Sequence, residues 1–485
     1  MKPTTDAGCL PAWTVGDLPD PLPFSFANAI RTIGPGAILL AGSIGGGEWI
    51  VGPTMTVQYG AGILWVATVA IALQTVFNME AVRYTMVTGE PILTGIMRLS
   101  PGPRLWGPLY ILLAVVQIGA PAIAAGCAAV LFAAFAGRVP AADGADRLAT
   151  GLITAGLVIG AAVLLLSGKK VERTLERLSW MMVIFIFTFL VAVNLVFVPL
   201  ATWAATARGF VTFGYWPTDM NLLALAAFAS LAGSGGVGNL AISNWFRDKG
   251  FGMGKYVGGI GGYLAHGEDV RLAPVGCMFR DTPENRSRWR DWWRYARIDQ
   301  MALWAVGCLC GMFLNVNLAV HIVPPGSIPN EQAMGTMQAE YLANAWSALW
   351  PLALLNGFWI LFSTQLGNAD ALVRVSSDVL WAGFPRVQRW SPSRLYAVIL
   401  VAVSAFGLVA INLGSVMSLF RILGAAASIV MAITAVQILR VNTRFLPPEV
   451  RPRLWRRLAL LACACFYGAI SSAVAWSQIK SLLGW

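Results

Sequence analysis

Charge is scarce in this chain: only 12% of its 485 residues are Asp, Glu, Lys or Arg. A soluble protein of this length needs far more to cover its surface, so the soluble globular class is excluded. Histidine is scarcer still. Of the two present, His266 falls in a loop and His321 at the end of an apolar run, so neither supplies a proton relay at membrane depth. No HExxH, no GxSxG and no cysteine–histidine pair occurs, which leaves no foothold for metalloprotease or nucleophilic hydrolase chemistry. No catalytic residue and no cofactor is therefore assigned. Cys127, Cys308, Cys310, Cys463 and Cys465 lie in apolar runs and read as small hydrophobes rather than disulfides or metal ligands. A phosphate loop also fails, because Tyr256 follows Lys255 and the GxxxxGK[ST] spacing is absent. The stretch Met1–Asn28 is polar, with prolines and acids, and is expected to be a short tail ending near residue 29 rather than a signal peptide.

What the chain has in abundance is apolar length. It is 57% hydrophobic with 20 tryptophans, and runs of about 20 apolar residues, enough to cross a bilayer as helices, recur along it. The pattern predicts an all-α integral membrane protein with eleven spans, at about 30–58, 62–88, 105–136, 148–167, 177–201, 221–246, 296–322, 343–381, 394–413, 416–440 and 456–482. The net charge of +11 does not point to nucleic acid, because the bases sit between spans. Arg98, Arg104, Lys170, Arg173, Arg386, Arg389 and the 440–457 arginines fall in one set of loops, while the alternate loops hold few. By the positive-inside bias, the N-terminus is cytoplasmic and the C-terminus outside. The 247–295 segment joins the cytoplasmic set as a basic loop, its Arg286–Arg297 end interleaving Trp and Arg as a headgroup-level helix does.

Two places break the apolar pattern. Residues 40–49 read LAGSIGGGEW and residues 231–240 read LAGSGGVGNL, so Leu-Ala-Gly-Ser precedes a glycine cluster twice, in the first and sixth spans. Glycine is about 1 kcal/mol worse than alanine inside a helix. Paired, glycine-interrupted segments at matching places in two halves point to a transporter's binding site. Open backbone at membrane depth is tolerated only beside protein or a watery cavity, where its N–H and C=O groups meet a solute. The candidate substrate-binding set is Ser43, Gly45, Gly46, Gly47 and Glu48 with Ser234, Gly235, Gly236, Gly238 and Asn239. Tight helix packing by small residues is the competing explanation.

Gly34-Pro35-Gly36, followed eleven positions after Gly34 by the first break, resembles the first helix of the Nramp (natural resistance-associated macrophage protein) metal transporters. The eleven spans and the Thr88-Gly89 end of the second span are similar too. The resemblance implies a LeuT-like fold with broken helices 1 and 6, two inverted five-helix repeats (30–201 and 221–440), and alternating access; 456–485 is an added helix. It also implies a metal site that this chain lacks. Where the family has DPGN, this sequence has Gly45, Gly46, Gly47 and Glu48; where it has MPHN, Gly236, Val237, Gly238 and Asn239. With Asp, Met and His gone, a soft divalent ion loses its ligands. Smaller residues are expected to enlarge the cavity, which suits a bigger solute.

Acids and bases inside spans are functional candidates by default. Glu48, beside the first break, is the foremost, as proton carrier, cation ligand or helix cap. Asp370, Arg374 and Asp378 are spaced to share one face of the eighth span and form either a coupling network or a self-neutralising triad. Glu80 and Arg83 read as a local pair, Asp299 as interfacial, and Arg421 as snorkelling or meeting an anion. The expectation is a secondary transporter of a small organic solute, such as one whose carboxylate meets the glycine N–H groups, with protons as a candidate coupling ion. The alternative is a Mn²⁺ or Mg²⁺ transporter rebuilt around Glu48. The partners are thus a small solute and the bilayer, with the oligomeric state open.

Overall fold

The computed structural model describes residues 6–141, 144–168, 170–264, 272–323, 334–410 and 416–483. His266 and the Arg421 side chain lie outside the described residues. Among the described residues, nine helices are long and apolar enough to cross a membrane. The two remaining spans are the glycine-interrupted ones. Span 1 runs through Pro35–Ser43, Ile44–Val51 and Gly52–Tyr59; span 6 is Leu222–Leu231 plus Val237–Lys249. Between and after them come Trp65–Thr88, the paired Pro103–Ile118 and Ala122–Ala136, Gly144–Ser167 and Val171–Phe197 as spans 2 to 5. Ile298–Ala305 with Val306–Ile322, then Leu349–Gly383, Pro392–Ala410, Val416–Arg444 and Leu454–Leu483 complete spans 7 to 11.

Local chemistry sets several ends. Asn221 caps span 6, its side chain accepting from the Leu223 and Ala224 N–H groups at 3.0 Å. Gly89 closes span 2 in the left-handed region at φ 72°, which glycine adopts without strain. Pro35 opens span 1, where its missing N–H costs nothing. The neighbouring Gly34 N–H donates to Asp299 Oδ1 at 2.9 Å. Asp299 is therefore not interfacial: it is fully buried and holds the start of span 1 against span 7. The Glu80–Arg83 pair forms at 2.7 Å, and Arg456 joins it at 2.9 Å.

Both ends of the 247–295 segment are helical rather than a solvated loop. Arg247 and Asp248 still belong to the helix of span 6 and are buried. Pro283–Arg297 runs without a gap into span 7, so the Trp/Arg stretch is the extension of a membrane helix. The N-terminal tail packs onto this segment. Its strand β1 (Thr14–Gly16) pairs in parallel with β2 (Cys277–Phe279). Buried Arg98 ties the tail down, donating to the Ala7 and Pro11 carbonyls at 2.8 Å while pairing with Glu90 and stacking 3.9 Å from the Trp13 ring. A guanidinium–indole contact of this kind contributes about 1 kcal/mol. Trp13→Ala is expected to speed limited proteolysis within residues 6–24 several-fold while leaving the melting of the helical bundle unchanged.

Candidate functional site

The first glycine cluster is helical, not unwound. Ile44–Val51 is a π-helix, with the Gly52 N–H bonded to the Gly47 carbonyl five residues back. Three successive glycines offer no Cβ to hold the α-register, and a wide turn of this kind is frequent at functional sites. The second cluster is a true break. Residues 232–236 leave the helix, with Gly233, Gly235 and Gly236 at φ 94°, 61° and 64°. Those values favour glycine at each point.

The two clusters face each other. Gly47 lies directly against the Leu231 carbonyl, and a Cβ there would sit 2.8 Å from the Ala232 nitrogen. Glu48, fully buried, joins them: its Oε1 accepts from the Gly233 N–H at 3.0 Å, while its Oε2 has no hydrogen-bond partner. Three further N–H groups at the break are taken by two glutamines. Gln74 Oε1 receives the Ser234 and Gly235 N–H groups at 3.0 and 3.3 Å, and Gln117 Oε1 receives that of Val237 at 3.1 Å. Their amide nitrogens return bonds to the Ala232 and Gly235 carbonyls at 2.8 and 2.9 Å. The Gly233, Ser234, Gly235 and Val237 N–H groups are thus occupied by side chains of the chain itself. A buried, open backbone has to be satisfied somehow, and side chains do it here.

Between the clusters lies a cavity of about 20 Å³, room for roughly one water. Ser43, Gly46, Gly47 and Ser234 line it, with Gly42, Gln117, Gly233, Thr364 and Asn368. Gly45 turns aside, its N–H donating to Thr364 Oγ1 at 3.1 Å. Gly235 and Gly236 pack on the Ser230 carbonyl and the Gln117 amide, and Gly238 on Ser234. Asn239 lies apart, donating to Asn78 Oδ1 at 2.8 Å. The expected enlargement does not occur: the volume that ligand side chains would fill is taken by neighbouring backbone and amides. Gln74, Gln117, Thr364 and Asn368 were missed by sequence reasoning. A signal existed: Gln117 is a lone amide in an apolar run, Gln74 lies with Thr75 in another, and Thr364 and Asn368 share a face at i, i+4.

About 18 Å further along span 6, at 1.5 Å per residue, lies a second buried polar group. Arg374 pairs with Asp370 at 2.9 Å and also with Asp248; Arg247 pairs with Asp378 at 2.5 Å and with Asp248 at 2.6 Å. Asp370 further accepts from Trp245 Nε1 and the Tyr396 hydroxyl, both at 2.7 Å. The span-8 triad is therefore not self-contained. Asp370 and Arg374 do pair, but Asp378 turns to span 6, and the set pins spans 6, 8 and 9 together.

Comparison with solved structures shows what fold this is. The chain is similar to a crystal structure of a point mutant of the Eremococcus coleocola manganese transporter, at 14% identity and TM-score 0.67, covering 99% of this chain and 92% of that one. The same transporter bound to an aromatic bis-isothiourea substituted compound matches at 14% identity and TM-score 0.65, covering 96% and 91%. MhsT in complex with L-phenylalanine matches at 13% identity and TM-score 0.53, over 91% and 98%. No protein-family model and no curated protein sequence matches the chain. At such identities the likeness is one of fold, and the fold is the LeuT-like membrane fold.

Proposed function

We propose that this chain is a secondary active transporter that moves a small polar organic solute by alternating access. One observation carries the reading: the π-helix of span 1 and the break of span 6 meet at a cavity lined by glycines, Ser43, Gln117, Ser234, Thr364 and Asn368 together with Ile118, Ile123, Leu231 and Leu423, and are linked through Glu48 to Gly233. A widened helical turn facing a true helix break at one cavity is the kind of irregular backbone that a midplane site uses. The reading takes 30–201 and 221–440 as the inverted repeats, with the N-terminus and the arginine-rich end in the cytoplasm and the C-terminus outside. The lining supplies hydroxyls, amides and glycine backbone and no charged side chain. That donor set suits an uncharged or zwitterionic solute better than a soft divalent ion. The cavity has room for only about one water, so loading requires span 1 to move from span 6, breaking the Glu48–Gly233 bond. Proton coupling is assigned to Glu48, whose free oxygen is where a proton would ride between the two halves.

The Glu48 carboxylate, buried beside the Cys308 thiol and with its Oε2 free of a close hydrogen bond, also favours a second reading, a Mn²⁺ or Mg²⁺ transporter using Glu48, because a buried carboxylate calls for a cation or a proton. Proteoliposome flux separates the two. With a metal-sensing dye inside, neither ion is expected to enter above the empty-liposome rate, whereas a panel of small neutral amino acids should include one that accumulates with an inward pH gradient. Glu48→Gln is expected to abolish the response to the gradient, at least tenfold, while the protein stays folded. Metal influx that disappears in Glu48→Gln would install the metal reading instead.

A further inference from the structure

We propose that the arginine-rich end of the bundle holds a binding site for a phosphate-bearing anion, independent of the transport pathway and of which solute it carries. A cavity of about 730 Å³ opens where the Pro283–Arg297 helix, the 447–457 turn and the end of span 2 meet. That volume lies within the range of small-molecule sites. Seven arginines and a single glutamate line it.

The arginines fall into two layers. Arg83 and Arg456 form the floor and are nearly buried, at 6% and 8% exposure. Both are fixed by Glu80, at 2.7 and 2.9 Å, and both lie over the Trp293 ring, at 4.2 and 5.1 Å. Two guanidiniums sharing one carboxylate leave positive charge uncompensated. Above them, exposed Arg290, Arg297 and Arg453 form no ion pair among the described residues. Like charges gathered in one concavity repel each other, and an anion is the ligand that relieves this. The planar fork of arginine matches phosphate oxygens bidentately, which a lysine-lined site would not do.

The position of the cavity suits a headgroup. Trp455 lines it at the start of span 11, and beside it Leu454 and Leu458 are exposed at 70% and 56%. An aromatic ring at the rim and apolar residues just beyond it are what a phospholipid meets on passing from headgroup to acyl chain. A soluble phosphorylated ligand presents the same phosphate without needing the leucines.

Native mass spectrometry of the full-length protein from detergent tests this with two probes, phosphatidylglycerol against phosphatidylcholine, and inorganic phosphate. Wild type is expected to retain phosphatidylglycerol at least tenfold more than phosphatidylcholine. Arg290→Ala with Arg453→Ala should remove that preference, and the corresponding lysine pair should restore only part of it. Both residues are exposed, so the bundle should melt unchanged; if the double variant does not fold, the single Arg453→Ala carries the test. Retention of inorganic phosphate but not of phosphatidylglycerol, lost in the same variants, keeps the site and makes its ligand soluble. Failure of both probes to bind wild type, or binding untouched by the substitutions, overturns the proposal.

Discussion

Arg374→Met is expected to destabilise the fold by about 3–5 kcal/mol, the cost of leaving buried charge without its partner. Arg374 is fully buried between Asp370 and Asp248. Removing it leaves Asp248 with Arg247 alone, and Arg247 is already shared with Asp378. Asp370 keeps the Trp245 and Tyr396 hydrogen bonds but loses its counter-charge. Two buried carboxylates then compete for too few donors, and span 6 loosens from span 8. Adding Asp370→Asn to Arg374→Met should recover part of the loss, since neutralising both partners removes the stranded charge. A double-mutant cycle on thermal melting in detergent reads the coupling directly. Additive effects of the two substitutions would show that the pair does not hold these helices together. Because the network ties the second half of span 6 to spans 8 and 9, transport by the proposed mechanism should fall further than stability alone accounts for.

The apolar runs made the architecture legible. Most predicted spans fall on helices, because bilayer-length hydrophobicity is written in consecutive positions, although the helix of span 7 begins at Pro283 and that of span 8 only at Leu349. The two glycine clusters were legible as places of special backbone, but not their form. A π-helix at Ile44–Val51 and a break at 232–236 arise from nearly the same tetrad, and what differs is which neighbour presses on each. Partners distant in sequence were the hidden part. Nothing around Glu48 announces Gly233, and nothing around Arg374 announces Asp248, 126 positions away. Arg247 and Asp248 read as the edge of a basic loop because charge normally ends a span; here paired charge continues inside it.

Whether the first glycine cluster serves packing or solute is decided by comparing two neighbouring residues. At Gly47 an added methyl would press on the Leu231 carbonyl and lie 2.8 Å from the Ala232 nitrogen, both backbone, which cannot turn away. Gly47→Ala is therefore expected to cost about 1–3 kcal/mol through overpacking and to part span 1 from span 6, breaking the Glu48–Gly233 bond with it. At Gly46 the same methyl would meet only the Ile123 and Leu231 side-chain methyls at 3.9 Å, an ordinary contact. Gly46 nevertheless lines the cavity, so the added methyl would occupy space that a solute needs. Gly46→Ala should thus melt within about 0.5 kcal/mol of wild type, as unstrained substitutions do, yet fail to take up solute. Scanning fluorimetry alongside proteoliposome uptake gives both readings on each variant. If Gly46→Ala transports normally, the cavity between the clusters is not the solute site, and the glycines are there for helix packing alone. If it is stable and inactive while Gly47→Ala is unstable, one glycine cluster performs two tasks, with Gly47 seating the helices and Gly46 leaving space for what passes between them.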